Sequence, residues 1–528
     1  MKNFRFFRFF RFISRTHHFL GQLSLLLLLF PFLLSTSKSV YAAAWQPPAP
    51  PADLPSSLLL KDRVRELKLD NGMTIIIEKK PSIRGVVSHY LAFRAATPEE
   101  PLGQTGIAHV LEHMMFKHNE QLALGEYSKT IEALGGSTNA SVNGNYTLYY
   151  ATAPVSALDK VMSLEAKRMR YLKIDPATFL NEMKVIKEER LMRDIDSPFG
   201  LMLNQLSALA FANRPQGIPI IGWLKDLEAM KPADVMAFYR RYYVPSNAYL
   251  YIVGDVDFDE VEQLAVKHYG PIPKCQPSNL TIQTNNQQLV CSSLPTPIRS
   301  DDVDENVPGL TRKNLKLDRP NHQLIMGYRV PSFGSHFSNE KNSKEHIATE
   351  KEIVSLMILA SILQDRYVLE KVRAGIGSEA HISVGYNSLK RNTTLFIIHG
   401  YSTNKNPPPL LEKLIFKEVA NINSNGITAD ELATIKRTTY IDLIRGLQRS
   451  DDSYEILSSY MAGYNWQHVD RLNQLFMQIT PNDIMKISQK YLVDDNLTII
   501  ASPAKQSSSK TPLKVPAKAP SKTNTRGK

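Results

Sequence analysis

Within the stretch Gly103 to Met114, His109 and His113 stand four residues apart, with Glu112 between them. On a helix, side chains at that spacing are neighbours on one face, and two imidazoles so placed can both reach one Zn2+ at about 2.0–2.1 Å. Glu112 lies on the same side, three residues after His109, where its carboxylate can contact a water on the metal rather than the metal itself. The stretch therefore offers two ligands and a base. A catalytic zinc takes a third protein ligand and keeps one position open. The segment Asn181 to Arg190 offers acids at Glu182, Glu188 and Glu189. If it is helical, Glu182 and Glu189, seven apart, share a face and Glu188 points elsewhere.

These residues need elements to hold them. Gly106 can act as a hinge into the histidine helix. Apolar, β-branched runs bounded by turn residues predict strands over Gly72–Lys79 and Gly85–Ala95. Apolar positions at three- and four-residue spacing predict helices over Thr105–Phe116, Gly125–Leu134, Ala157–Leu172, Pro176–Arg193 and Pro232–Tyr242. Asn247–Val256 reads as a further strand, and a Pro-rich polar stretch runs from Gly270 to about Leu317. The later half then repeats an earlier pattern: Pro232, Asp234, Met236, Tyr242, Val244 and Asn247 recur as Pro481, Asp483, Met485, Tyr491, Val493 and Asn496, at a constant offset of 249. Duplication accounts for an offset without slippage. The expected organisation is α+β in two homologous domains, 59–272 and 319–503, joined by a linker over 273–318.

The 528 residues, 43% hydrophobic and 22% charged, exclude disorder for the bulk of the chain and require more than one folding unit. The net charge of +12 is carried by the ends: 13 of the 63 basic residues lie in two acid-free terminal segments, which leaves 50 against 51 acids in the body. A phosphate-binding groove needs its basic excess on the folded part, so nucleic acid is not an expected partner. The basic start, the apolar run Leu20–Leu34 and the small residues Ala42, Ala43 and Ala44 read as a signal peptide over 1–44. That run, broken by Pro31, falls short of the roughly 20 residues of a membrane-spanning helix. Export to the periplasm or cell envelope is expected, with an uncleaved inner-membrane anchor as the alternative. A Pro-rich tether over 45–58 follows. Cys275 and Cys291 can form one disulfide or remain two thiols. The tail from 504 to 528 is too polar and basic to build a core. It reads as a solvated segment, or as a tether to an anionic envelope surface.

The His-x-x-Glu-His motif, the run Gly135 to Ser141 with Tyr146 to Tyr150, and the Glu182/Glu189 helix together resemble the inverted-motif zinc peptidases, the family of pitrilysin, insulin-degrading enzyme and mitochondrial processing peptidase. The resemblance covers about 59–503, and Glu189 stands 76 residues after His113, where that family places its third ligand. It implies one Zn2+ per chain held by His109, His113 and Glu189, with Glu112 as general base and Glu182 orienting a ligand histidine. It implies two mostly antiparallel sheets with helices packed on them, closing a clamshell chamber, and an extended peptide or unfolded segment that adds as a strand along Asn139, Ala140 and Ser141. The second half departs from the pattern. Its early helix, Glu350–Leu363, has no histidine pair, and where active members place an Arg and a Tyr to hold substrate, this chain has Lys371 and Ser378, with Arg373 as a substitute. Short members of the family work in pairs, so a homodimer, or a heterodimer with a homologous non-catalytic subunit, is expected. The alternative function is a peptidase-like scaffold subunit of an envelope complex with little activity alone.

Overall fold

The computed structural model describes residues 55, 58–212, 214–274, 309–317, 319, 321–336, 344–373, 380–403, 408–448 and 454–504, without the side chains of 344–347 and 369–373. The leader, Cys275, Cys291 and the basic tail lie outside the described residues. In the first half, strands β1 (Val64–Lys68), β2 (Thr74–Lys79), β3 (Val86–Phe93), β4 (Ser137–Val142), β5 (Thr147–Pro154) and β6 (Ala248–Gly254) form one sheet in the order β1-β2-β6-β3-β5-β4. In the second, β7 (Thr311–Asn314), β8 (His322–Val330), β9 (Ala380–Tyr386), β10 (Thr394–Ser402) and β11 (Leu497–Ser502) are ordered β7-β11-β8-β10-β9. Both sheets are antiparallel except for one parallel pair each, β2 with β6 and β7 with β11. The five strands of the second sheet match the last five of the first, position for position. The offset of 249 read from the sequence sets Ala248 of β6 against Leu497 of β11.

Helices follow the same logic. The first half holds α1 (Ile107–Met114), α2 (Glu126–Ala133), α3 (Leu158–Arg170), α4 (Pro176–Arg190), α5 (Pro198–Ala210), α6 (Leu224–Ala229), α7 (Pro232–Tyr242) and α8 (Phe258–Tyr269). The second holds α9 (Lys344–Arg373), α10 (Pro408–Asn425), α11 (Ala429–Gly446), α12 (Tyr454–Met461), α13 (Trp466–Gln478) and α14 (Pro481–Tyr491). The repeated helices α7 and α14 both start on a proline, whose missing N–H costs nothing in a first turn, and both end on a tyrosine.

Strand periodicity shows how the halves are tied. Successive side chains in β2 point to opposite faces. Ile75 and Ile77 enter a core made with the helices of their own half. Ile76 points the other way, into a cluster with Tyr90, Ala92, Leu148, Tyr251 and Val253 that Ile456, Leu457, Tyr460 and Met461 of the second half complete. The exchange is mutual: Met202, Leu206 and Ala210 of α5, with Phe211, cover Ile325, Leu395 and Ile500 on the second sheet. Burying one large apolar side chain contributes about 1.5–3 kcal/mol, against ~1 kcal/mol net for a hydrogen bond. The exchanged helices therefore hold the halves together more strongly than polar links such as Leu60 N–H to Asp470 at 2.8 Å.

Two elements differ from the sequence expectation. The helix expected to run to Arg193 keeps α geometry only to Arg190 and passes into a π turn over Leu191–Ile195. That turn lets Arg193 reach back to Glu189 while Arg190 pairs with Asp194. The helix expected over Glu350–Leu363 extends over the whole of α9.

Candidate metal centre

Helix α1 starts abruptly, and its start is fixed from outside. Gly106 has φ of 85°, the left-handed region that favours glycine. A Cβ there would sit 2.1 Å from the Ile221 carbonyl oxygen. The Glu100 carboxylate accepts the free first-turn amides of Gly106 at 2.9 Å and Ala108 at 3.2 Å, an anion where the helix dipole favours one. Burial nonetheless pushes the Glu100 carboxyl up to about 8. The Thr105 hydroxyl donates to Asp226 at 2.6 Å and accepts from the Trp223 amide at 2.9 Å. Helix α4 starts on the Asp175 side chain, which caps Thr178 N–H at 2.8 Å.

These anchors bring α1 and α4 together. His113 Nε2 lies 3.4 Å and His109 Nε2 3.9 Å from Glu189 Oε2, and one donor atom from each of the three side chains lies within 4.8 Å of the others. No other such cluster of His, Cys, Asp or Glu occurs among the described residues. Zinc bonds of 2.0–2.1 Å in a tetrahedron space their ligand atoms ~3.3 Å apart. Two imidazoles and one carboxylate at these separations fit that ion and leave a fourth position open. Glu188 is exposed and outside the cluster.

The surrounding groups fix these three side chains. Glu182 Oε1 lies 2.8 Å from His113 Nδ1, which turns Nε2 of that ring towards Glu189. The other Glu182 oxygen pairs with Lys117 at 2.7 Å, and Arg193 takes the second Glu189 oxygen at 2.7 Å. The histidines differ in charge preference. Burial drives His109 down to about 3. For His113, hydrogen bonds to Glu182 and Glu189 outweigh burial and raise it to about 9. Glu182 falls below the usual carboxylate range through its bond to His113. Glu189 falls against the opposing effect of burial, through its bond to His113 and the charges of His109 and Arg193. The carboxylates of Glu182 and Glu189 thus favour positive charge at the His113 ring. Among the described residues Glu112 makes no hydrogen bond or ion pair, and burial lifts its carboxyl to about 7.

The other sequence-derived residues are distributed as follows. Asn139, Ala140 and Ser141 lie on β4, at the sheet edge beside α1; their pairing with β5 leaves the outer edge without a strand among the described residues. Arg373 ends α9, but its side chain lies outside the described residues, as do 374–379; Lys371 is likewise without a described side chain. Sequence reasoning missed Arg193 and Lys117, although each sits four residues after a candidate ligand, Glu189 and His113, which is a readable helix spacing. It also missed Glu100 and Asp226, which carry no local signal.

If Glu182 orients His113, Glu182→Ala should weaken zinc binding by about 10–100-fold, as loss of such an outer partner does. Competition with a chromophoric chelator measures this, and the far-ultraviolet circular dichroism of the variant should match wild type.

Comparison with known proteins gives a consistent relationship. A family model described as Insulinase (Peptidase family M16) matches residues 82–222, and one described as Peptidase M16 inactive domain matches 229–439. The zinc protease PqqE of Helicobacter pylori (strain ATCC 700392 / 26695) is 25% identical over 436 residues, covering 82% of this chain and 91% of its own. The mitochondrial-processing peptidase subunit beta of Blastocladiella emersonii is 21% identical over 457 residues, 85% of this chain and 90% of its own. The crystal structure of a protease from Helicobacter pylori superposes with a TM-score of 0.73 at 24% identity, covering 83% of this chain and 99% of that one. Two sheets with the same strand order, and matches to both halves, mean that the chain belongs to peptidase family M16, the insulinase family, as a two-domain member.

Proposed function

We propose that this protein is an exported zinc endopeptidase that hydrolyses peptides or unfolded segments in the cell envelope. The observation that carries the reading is the convergence of His109, His113 and Glu189 from two helices, next to a Glu112 carboxylate that makes no hydrogen bond or ion pair among the described residues. His109, His113 and Glu189 would hold Zn2+, which when bound polarises a scissile carbonyl and makes water acidic near neutral pH. Glu182 and Arg193 hold His113 and Glu189 in register. Glu112, left free by its neighbours, accepts the proton of the attacking water and delivers it to the departing amine. The outer edge of β4 offers main-chain donors and acceptors to an extended peptide, a mode that demands an unfolded substrate.

The zinc-protease names of relatives and the metal-competent cluster support the enzyme over the scaffold reading. One relative is itself named as a subunit, and we propose that this chain also works as a dimer, with itself or with a homologous non-catalytic chain. Among the described residues no helix is long and apolar enough to cross a membrane. Export rests on the leader sequence, and attachment to anionic envelope surface on the basic tail.

Chelation tests the proposal. Cleavage of an unstructured quenched peptide should stop when zinc is removed and return when one equivalent per chain is restored. Cleavage that survives complete removal of metal refutes it.

A further inference from the structure

The seam between the halves holds a lysine, Lys390, whose charge has no counterpart among the described residues. The turn joining β9 to β10 docks on the turn Asn143–Tyr146, which joins β4 to β5. Asn145 donates to the Leu389 carbonyl at 2.8 Å and accepts from the Arg391 amide at 3.2 Å. Arg391 in turn bonds the Asn145 carbonyl at 3.1 Å and pairs with Glu99 at 2.8 Å. From the other side the Lys390 carbonyl accepts from Ser332 Oγ at 3.0 Å and Gly334 N–H at 2.9 Å. A Cβ on Gly334 would come within 2.5 Å of that same oxygen. The backbone of Lys390 is thus pinned from both sides.

Its side chain is not. The Lys390 ammonium lies 3.5 Å from the point where a Cβ on Gly144 would stand, two residues past the end of β4. Among the described residues it has no hydrogen bond and no acid: Glu99, the carboxylate of this seam, is taken by Arg391. Burial lowers its pKa below that of a free lysine. Lys390 is half-buried, and a partly desolvated cation on a pinned turn favours an anionic partner. Its position beside the end of the open edge strand indicates what the visitor is. A peptide laid along β4 advances about 3.3 Å per residue, so the residue leaving β4 past Val142 passes the turn that Lys390 touches.

We propose that Lys390 is a specificity-determining residue that binds a carboxylate of the peptide, carried by the residue that runs beyond Val142. The inference rests on the reading that substrate extends β4. The carboxylate can come from an acidic side chain or from the peptide's own C-terminus, and the two are separable.

The test uses the full chain carrying Glu112→Gln, so that peptide is bound and not consumed, with fluorescence anisotropy as the readout. Peptides identical but for a single Glu or Gln are scanned through successive positions, each made as C-terminal acid and amide. One position should show tighter binding of Glu over Gln by about tenfold, as a charge-assisted bond supplies. If instead Glu and Gln peptides bind alike and amidation weakens both, the bound group is the terminal carboxylate. Lys390→Gln should bring the Glu/Gln ratio near one, and Lys390→Glu should invert it in favour of Gln at the same position, which a general loss of folding cannot do. Equal binding of Glu and Gln peptides at every position, with no effect of amidation, overturns the proposal, as does a preference that persists in Lys390→Gln. Cleavage by the wild-type chain is read separately: silent turnover counts against the peptidase reading, whereas the binding ratio judges Lys390.

Discussion

Glu112→Gln should abolish turnover while leaving the metal in place. The carboxylate touches none of the three candidate ligands through a hydrogen bond or ion pair among the described residues, so its loss should not disturb them. Glutamine keeps the shape of the side chain and removes its ability to take a proton. General base catalysis contributes about 10²–10⁴-fold, and kcat should fall by at least that range with zinc content per chain unchanged. Peptide hydrolysis under single-turnover conditions, paired with metal analysis of the same sample, checks both. Undiminished cleavage would remove Glu112 from the chemistry. Loss of zinc would make it part of the metal shell.

The second large effect lies behind the site, in the core. Arg168 and Glu165 are 1% and 0% exposed, yet both are ionisable side chains. The guanidinium bonds Glu165 Oε1 through Nε at 3.0 Å and both carboxylate oxygens through Nη2 at 2.6 Å. Tyr127 donates to Glu165 at 2.6 Å. The Arg168 head group also sits 4.1 Å from the Tyr127 ring and 4.4 Å from the Tyr149 ring, so aromatic faces complete its surroundings. Arg168→Ala would leave the Glu165 carboxylate buried and uncompensated. Such a break costs about 3–5 kcal/mol, whereas replacing both partners with apolar residues of similar size can be neutral. Urea unfolding should show the single variant strongly destabilised and the double variant Glu165→Leu with Arg168→Met close to wild type. A single variant within 1 kcal/mol of wild type, on the order of one ordinary hydrogen bond, would show that the pair is not a structural keystone.

What could be read from the sequence was local. The spacing of His109, Glu112 and His113, the Pro-started helices at 232 and 481, and the β-branched runs of β2 and β3 each depend on a few neighbouring residues, and the elements stand close to where the spacing places them. Contacts distant in sequence could not be read. Met202, Leu206 and Ala210 are four apart and announce a helix with one apolar stripe, but not that the stripe covers the sheet of the other half. Glu100 and Asp226 look like surface acids in a string of letters, and only folding sets one on the first turn of α1 and the other on Thr105. The π turn after α4 was missed because Leu191–Ile195 continues an ordinary helical composition; the ion pairs of Arg190 and Arg193 accompany the change of pitch there.

The claim beneath all of this is that one metal ion sits among His109, His113 and Glu189. Crystals of the intact protein grown with zinc, measured on both sides of the zinc absorption edge, test it directly. The account predicts one anomalous peak per chain within about 2.0–2.2 Å of the two Nε2 atoms and a Glu189 oxygen, lost in His113→Ala. A zinc-replete protein with no peak there, or with its zinc bound elsewhere and indifferent to these residues, would contradict it.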